Sequence, residues 1–256
     1  MQIKVLGCAG GIGKHADKVL RTTSFLIDDD ILIDAGTGVG ELSVDALCKI
    51  NHIFITHSHL DHIVSIPLLL DTVLGIREGF VTVYALEATI QTLKEHVFNW
   101  KVWPDFNVIP DHLHPLLRYE VINPRKTISL NGRHITALPA NHVVPAVGYH
   151  VRSKDKHFVF SGDSTESHDF WQAINQLTSL NYLVIETAFS NEEIALAKLS
   201  KHYCPSILLA ALSQLKHHPE IYITHLKPGS EALIMQQINK TDVIAQALTT
   251  NQIFTL

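Results

Sequence analysis

The chain is short of cysteine, carries no excess of basic residues and contains no long apolar run, and each shortage narrows what it can be. Cys8, Cys48 and Cys204 are odd in number and widely spaced in 256 residues, which fits a reduced cytoplasm better than a disulfide framework. Lys and Arg number 20 against 25 Asp and Glu, a formal charge of -5, so no general attraction to nucleic acid is built in. Residues 1–7 read as a strand entering a glycine turn, and no segment has the length and apolarity of a leader or membrane span. The expectation is a cytoplasmic protein without a membrane partner. Low-complexity tracts and internal repeats are also lacking, whereas a 46% hydrophobic content is enough to bury a large core.

Short β-rich runs open the chain at residues 3–6, 24–27 and 31–34, separated by a glycine-rich loop and an Asp28-Asp29-Asp30 turn. Residues 63–74 have helical length, with Pro67 tolerable only near the first turn. Strand and helix then alternate. Residues 81–84 and 182–186 read as strands; 87–97, 192–201, 205–215 and 231–238 read as helices. Between the halves, residues 119–122, 134–138, 147–151 and 157–160 have the spacing of a meander that mirrors the opening strands. The expected architecture is one α/β domain over residues 1–256, with two packed sheets and helices outside. Residues 98–117 hold Trp100, Trp103, Phe106, His112 and His114 among prolines, too irregular for a helix and too aromatic for a plain linker. They are read as a lid or interface insertion that permits a homodimer.

The densest chemistry is His57-Ser58-His59-Leu60-Asp61-His62, directly after the apolar run Ile53-Phe54-Ile55-Thr56. In an extended segment, positions i and i+2 share a face, so His57 and His59 can reach one cation together. Asp61 and His62, where the chain turns, are placed for a second, with donors that suit zinc. Other donors also follow apolar runs: His142 in Pro139-Ala140-Asn141-His142, Asp163 in Phe160-Ser161-Gly162-Asp163, and His225 in Tyr222-Ile223-Thr224-His225, which echoes Phe54-Ile55-Thr56-His57. A single histidine at a strand end is more often a satisfied polar residue than a ligand. His112-x-His114, with no strand before it, reads as a loop pair, and the glycines of residues 7–13 as a tight turn.

Taken in order, these landmarks resemble the metallo-β-lactamase superfamily, with its four-layer αββα sandwich of two mixed sheets. The resemblance implies that His57, His59 and His142 hold one metal, that Asp61, His62 and His225 hold the other, and that Asp163 bridges them. It also implies that Asp34, in Leu32-Ile33-Asp34-Ala35-Gly36, supports the metal-binding loop. Within the superfamily, Ile66-Pro67-Leu68, Trp103-Pro104-Asp105-Phe106, Ser200-Lys201-His202-Tyr203-Cys204-Pro205 and Thr224-His225-Leu226-Lys227-Pro228 are similar to segments of the class II cyclic-nucleotide phosphodiesterases. Ser65-Ile66 and Tyr203-Cys204 depart from that pattern.

The activity so implied is hydrolysis of a 3′,5′-cyclic nucleotide to the 5′-monophosphate. A hydroxide held between two divalent cations, zinc or else manganese or iron, would attack phosphorus. Asp61 and Asp163 would orient it. His202 would protonate the leaving oxygen or grip the phosphate, Lys227 would contact phosphate, and Glu186 would orient a neighbouring histidine. The nearest rival is a ribonuclease Z-like endonuclease, but the basic surplus and protruding arm that a large polyanion requires are missing. An iron-dependent oxidoreductase or a binding-only protein on the same scaffold would not need every donor, and a β-lactam hydrolase would be expected to be exported.

Overall fold

A computed structural model describes every residue except Ala16. The first half runs through β1 (Gln2–Gly7), a hairpin of β2 (Gly13–His15) and β3 (Lys18–Leu20), β4 (Ser24–Ile27), β5 (Ile31–Ile33), α1 (Val44–Lys49) and β6 (His52–Phe54). It continues with α2 (Leu60–Ile63), α3 (Ser65–Val73), β7 (Val81–Ala85), α4 (Glu87–Thr92) and β8 (Leu117–Val121). The second half supplies β9 (Thr127–Leu130), β10 (Arg133–Pro139), β11 (Val147–Ser153), β12 (Lys156–Phe160), α5 (His168–Asn175) and β13 (Tyr182–Glu186). Then come α6 (Ile194–Ser200), α7 (Pro205–Leu212), β14 (Glu220–Thr224), α8 (Glu231–Asn239), β15 (Ala245–Ala247) and β16 (Ile253–Thr255). Two seven-stranded sheets result, ordered β16-β1-β4-β5-β6-β7-β8 and β15-β14-β13-β12-β11-β10-β9. Each passes from antiparallel to parallel pairing, at β5–β6 in one and β12–β13 in the other.

Alternation along the strands builds the four layers. Ile31, Ile33 and Phe54 face the other sheet, where Tyr149, Phe158, Phe160 and Val184 meet them, and Phe25 lies 4.9 Å from Phe160 between ring centroids. Their neighbours Leu32, Ile53 and Ile55 point outward onto Ile66, Leu69 and Leu70 of α3. On the far side, Leu183, Ile185 and Ile223 pack under Phe170, Trp171 and Leu208. Because both faces of the central strands are covered, these strands read as continuous apolar runs. The αββα sandwich expected from the sequence is the fold observed. Among the described residues, no helix is long and apolar enough to cross a membrane.

The helix expected over residues 63–74 is α3, which begins at Ser65 with Pro67 in its first turn; a one-turn helix, α2, ends just before it at Ile63. Two local readings are corrected. Residues 87–97 change from α4 to a π-turn at Leu93–Val97. The strand near residues 119–122 belongs not to the central meander but to the edge of the first sheet, where β8 runs parallel to β7. The preceding aromatic segment is the crossover between them. Phe98 and Phe106 anchor it in the core, while Trp100, Val102 and Leu113 are exposed.

A pair of histidines without a catalytic role is buried beneath the second sheet's outer layer. His150 Nε2 and His157 Nδ1 lie 3.0 Å apart. Burial, reinforced by His157 and Arg152, lowers the pKa of His150 to about 4. The unfolded chain therefore takes up a proton near pH 6.5, whereas the folded one resists until about 4, so stability is full above 6.5 and falls as the pH drops through that window. The loss attributable to His150 is about 3 kcal/mol by pH 4. In His150→Leu, urea midpoints compared at pH 7 and pH 4.5 should converge relative to those of the parent.

Candidate metal centre

Both sheets deliver polar side chains to the same end of the sandwich. β5 runs into Asp34, β6 into Thr56 and His57, and β14 into Thr224 and His225. Asp34 and His225 have positive φ values of 56° and 61°, which turns each chain sharply where its strand stops. Gly162, at φ 62°, lets the Asp163 loop close on the first sheet: a Cβ there would lie 2.7 Å from the Val147 carbonyl and 3.2 Å from Thr56 Cγ2.

The donors gather in two groups, His57, His59, His142 and Asp163, and Asp61, His62, Asp163 and His225, each with ligand atoms within 4.8 Å of one another. Each of the seven residues that the resemblance put forward as a ligand lies in one or both of these groups. Asp163 Oδ2 is 3.3 Å from His62 Nε2 and 3.7 Å from His57 Nε2, and Oδ1 is 3.2 Å from His225 Nδ1. Asp61 Oδ2 is 3.8 Å from both His62 Nε2 and His225 Nε2. Neighbouring donors on a tetrahedral zinc, with bonds of about 2.0–2.2 Å, stand roughly 3.3–3.6 Å apart. His57 Nε2, His62 Nε2, Asp163 Oδ1 and His225 Nδ1 are buried without a hydrogen-bond partner among the described residues, a cost of about 1–3 kcal/mol each that a shared cation would offset. The residues fit a pair of divalent cations.

Behind the donors, fixed acceptors set the histidine tautomers. The buried Asp34 carboxylate accepts from His62 Nδ1 at 2.7 Å and from the Thr56 amide at 2.8 Å. The Thr56 hydroxyl donates to the same carboxylate at 2.9 Å, so it accepts from His57 Nδ1 at 3.0 Å. One carboxylate thus turns two Nε2 lone pairs toward the centre. Thr56 had no role in the sequence reading, although its place in the repeated Ile-Thr-His pattern was the available signal. Asp34→Asn keeps the shape and removes the charge; cation affinity should fall about 10–100-fold, measured by competition with a chelator, with the circular dichroism spectrum unchanged.

The charge balance follows from the packing. Burial would raise the pKa of Asp163, but His225, His62 and His57 outweigh it and hold the carboxyl well below its usual range. Burial lowers His57, and it lowers His142 and His225 to about 4, which favours the lone-pair form that ligation needs. Burial also opposes a charge on His62, yet Asp163 and Asp34 prevail and raise it well above the ordinary value. A cation at Nε2 therefore displaces a proton.

His202 borders the centre, its ring 5.0 Å from that of His142 and 5.2 Å from that of His225. Glu186, fully buried, accepts from His202 Nδ1 at 2.8 Å. Burial raises Glu186, and Glu186 in turn overcomes burial to raise His202, so the pair retains its shared proton. Lys227 donates to the Gly10 carbonyl at 2.9 Å, and the Gly10 amide donates to the Leu226 carbonyl at 3.0 Å. The glycine loop is thereby packed against the His225 segment. His112 and His114 lie on an exposed loop, apart from both donor groups.

A family model for the beta-lactamase superfamily domain matches residues 29–244. The chain belongs to this superfamily. Among its relatives, a probable 3′,5′-cyclic-nucleotide phosphodiesterase of Yersinia pestis is 27% identical over 206 residues, 71% of this chain and 58% of that protein. A ribonuclease Z of Pyrococcus abyssi is 28% identical over 152 residues, 57% of this chain and 47% of that protein. The chain thus spans about three fifths of the first relative's length and about half of the second's. Unliganded yeast PDE1 superposes with a TM-score of 0.81 at 17% identity, covering 100% of this chain and 99% of that one, a likeness of fold. This superfamily member therefore carries, at one end of its αββα sandwich, a His/Asp cluster able to bind metal ions.

Proposed function

We propose that this protein is a dinuclear-metal phosphodiesterase that hydrolyses 3′,5′-cyclic nucleotides to nucleoside 5′-monophosphates. The observation that carries the reading is the sharing of Asp163 by two four-donor groups, with the His202–Glu186 pair against their edge. His57, His59, His142 and Asp163 would hold one cation, and Asp61, His62, His225 and Asp163 the other; imidazole with carboxylate suits zinc, and accepts manganese or iron. When bound, the two ions lower the pKa of water to about 7 and neutralise charge on the phosphoryl oxygens.

The chain's own groups supply the rest. Asp163 is held ionised, so it orients without taking up a proton. Asp61, its side chain 33% exposed, is the acidic ligand that faces the opening and is placed to help align the attacking oxygen. His202 carries a proton on the nitrogen opposite Nδ1 and delivers it to the departing 3′-oxygen, while Glu186 fixes the ring and sustains its charge. Lys227 offers an ammonium that a phosphate can draw from the Gly10 carbonyl.

Similarity to a ribonuclease Z keeps the endonuclease as the second reading, and the acidic balance of 25 against 20 disfavours it. Chelator-stripped protein reloaded with zinc or manganese is to be assayed on 3′,5′-cyclic AMP and GMP, 2′,3′-cyclic AMP, an aryl phosphodiester and a transfer RNA precursor. Preferred conversion of a 3′,5′-cyclic nucleotide to the 5′-monophosphate is expected. Cleavage of the precursor with no turnover of the cyclic substrates would overturn the proposal.

A further inference from the structure

We propose that Lys201 is a positioning residue that clamps His142 at both ends and couples cation uptake by the first donor group to the placement of His202. The inference rests on reading the centre as a divalent-cation site. His57 and His62 take their orientation from the Asp34–Thr56 system described above. His142 takes its own from a different source.

Lys201 ends α6 in the left-handed conformation, φ 54° and ψ 50°, a backbone that glycine adopts freely and other residues seldom do. Two contacts use this turn. The Lys201 carbonyl lies 3.1 Å from His142 Nδ1, and since a carbonyl can only accept, the proton belongs on Nδ1 and the lone pair on Nε2. That Nε2 is 3.2 Å from His59 Nδ1, the partner it would have on a cation. The side chain meanwhile folds back, and Nζ donates to the His142 carbonyl and to Asn141 Oδ1, both at 3.1 Å. Asn141 is tied onward: its amide donates to Ser164 Oγ at 2.9 Å, and its side chain to the Glu166 carbonyl at 2.7 Å.

The carbonyl thus orients the ring while the ammonium fixes the segment that bears it. The next residue along the chain is His202. Any shift of the Lys201 turn therefore moves both the tautomer-setting acceptor of a cation ligand and the histidine that faces the leaving group. A glycine at this position would keep the turn, and even relax it, while deleting the ammonium. Nothing in the turn itself calls for lysine; the two oxygens that receive its charge do.

The test uses the full chain stripped of metal, titrated calorimetrically with zinc, alongside ¹⁵N-histidine spectra that report the tautomer of His142. For Lys201→Gly we expect affinity for one of two zinc equivalents to fall about 10–100-fold, the second to hold, thermal unfolding of the stripped protein to be unchanged, and the His142 Nδ1–H signal to be lost to averaging. Lys201→Arg, which keeps a donor for both oxygens, should restore most of the affinity and the signal. Parent-like zinc binding with an unchanged His142 signal in Lys201→Gly would overturn the clamp. Equal weakening of both equivalents together with a lowered unfolding temperature would overturn it too, by showing a merely structural role. Should the parent bind no zinc, manganese or iron, the reading of the centre fails and takes this inference with it.

Discussion

Replacing Asp163 with alanine is expected to lower phosphodiester hydrolysis by about a thousandfold or more, since metal clamping of the transition state is worth several kcal/mol and each 1.36 kcal/mol is a factor of ten. The effect is large because this carboxylate is common to both donor groups. Losing it would take a donor from each of the two proposed cation sites and leave His57, His62 and His225 facing one another without the anion that separates them. Elemental analysis should show well under two equivalents of metal after gel filtration. Full retention of both metals, with activity near that of the parent, would remove Asp163 from the centre.

The second large effect separates proton delivery from metal binding. His202→Ala should reduce kcat by about 10²–10⁴-fold while both equivalents of metal remain, because His202 belongs to neither donor group yet borders His142 and His225. A substrate with a leaving group that needs no protonation, such as an aryl phosphodiester, should lose far less. That contrast is the decisive readout. If turnover of both substrates and metal content fall together, His202 is a packing residue and Glu186 has merely satisfied a buried ring.

Much of the centre was legible because part of it is contiguous. His57, His59, Asp61 and His62 fall within six residues, and the strand before them puts His57 and His59 on one face while Asp61 and His62 follow where the chain turns. His142, Asp163 and His225 could be nominated only as polar residues at the ends of apolar runs; the resemblance, not spacing, sorted them into two groups. Thr56 had a signal in the repeated Ile-Thr-His pattern; Lys201 had none, for a physical reason. Half of what Lys201 offers His142 is a main-chain carbonyl, which every residue possesses, and neither its left-handed turn nor the target of its ammonium is written in the neighbouring residues. β8 was recognised as a strand but given to the wrong sheet, since alternation reports that a segment is extended and not which edge it joins. Pro67, tolerable only near a first turn, stands in the first turn of α3.

At the end of the sandwich remote from the two donor groups, Arg133 at the start of β10 pairs with Asp30 in the turn before β5, its Nη2 2.9 Å from Oδ2, and also reaches Asp28. The sheets are pinned at that tip and joined again beside the donors, where the Val147 amide donates to the Thr56 carbonyl at 3.0 Å and the Tyr149 hydroxyl to the Ile55 carbonyl at 2.8 Å. Bolted at both ends over an apolar filling, the two halves fix the gap between histidines carried by opposite sheets, so an incoming ion would meet a spacing already set rather than one it must draw shut.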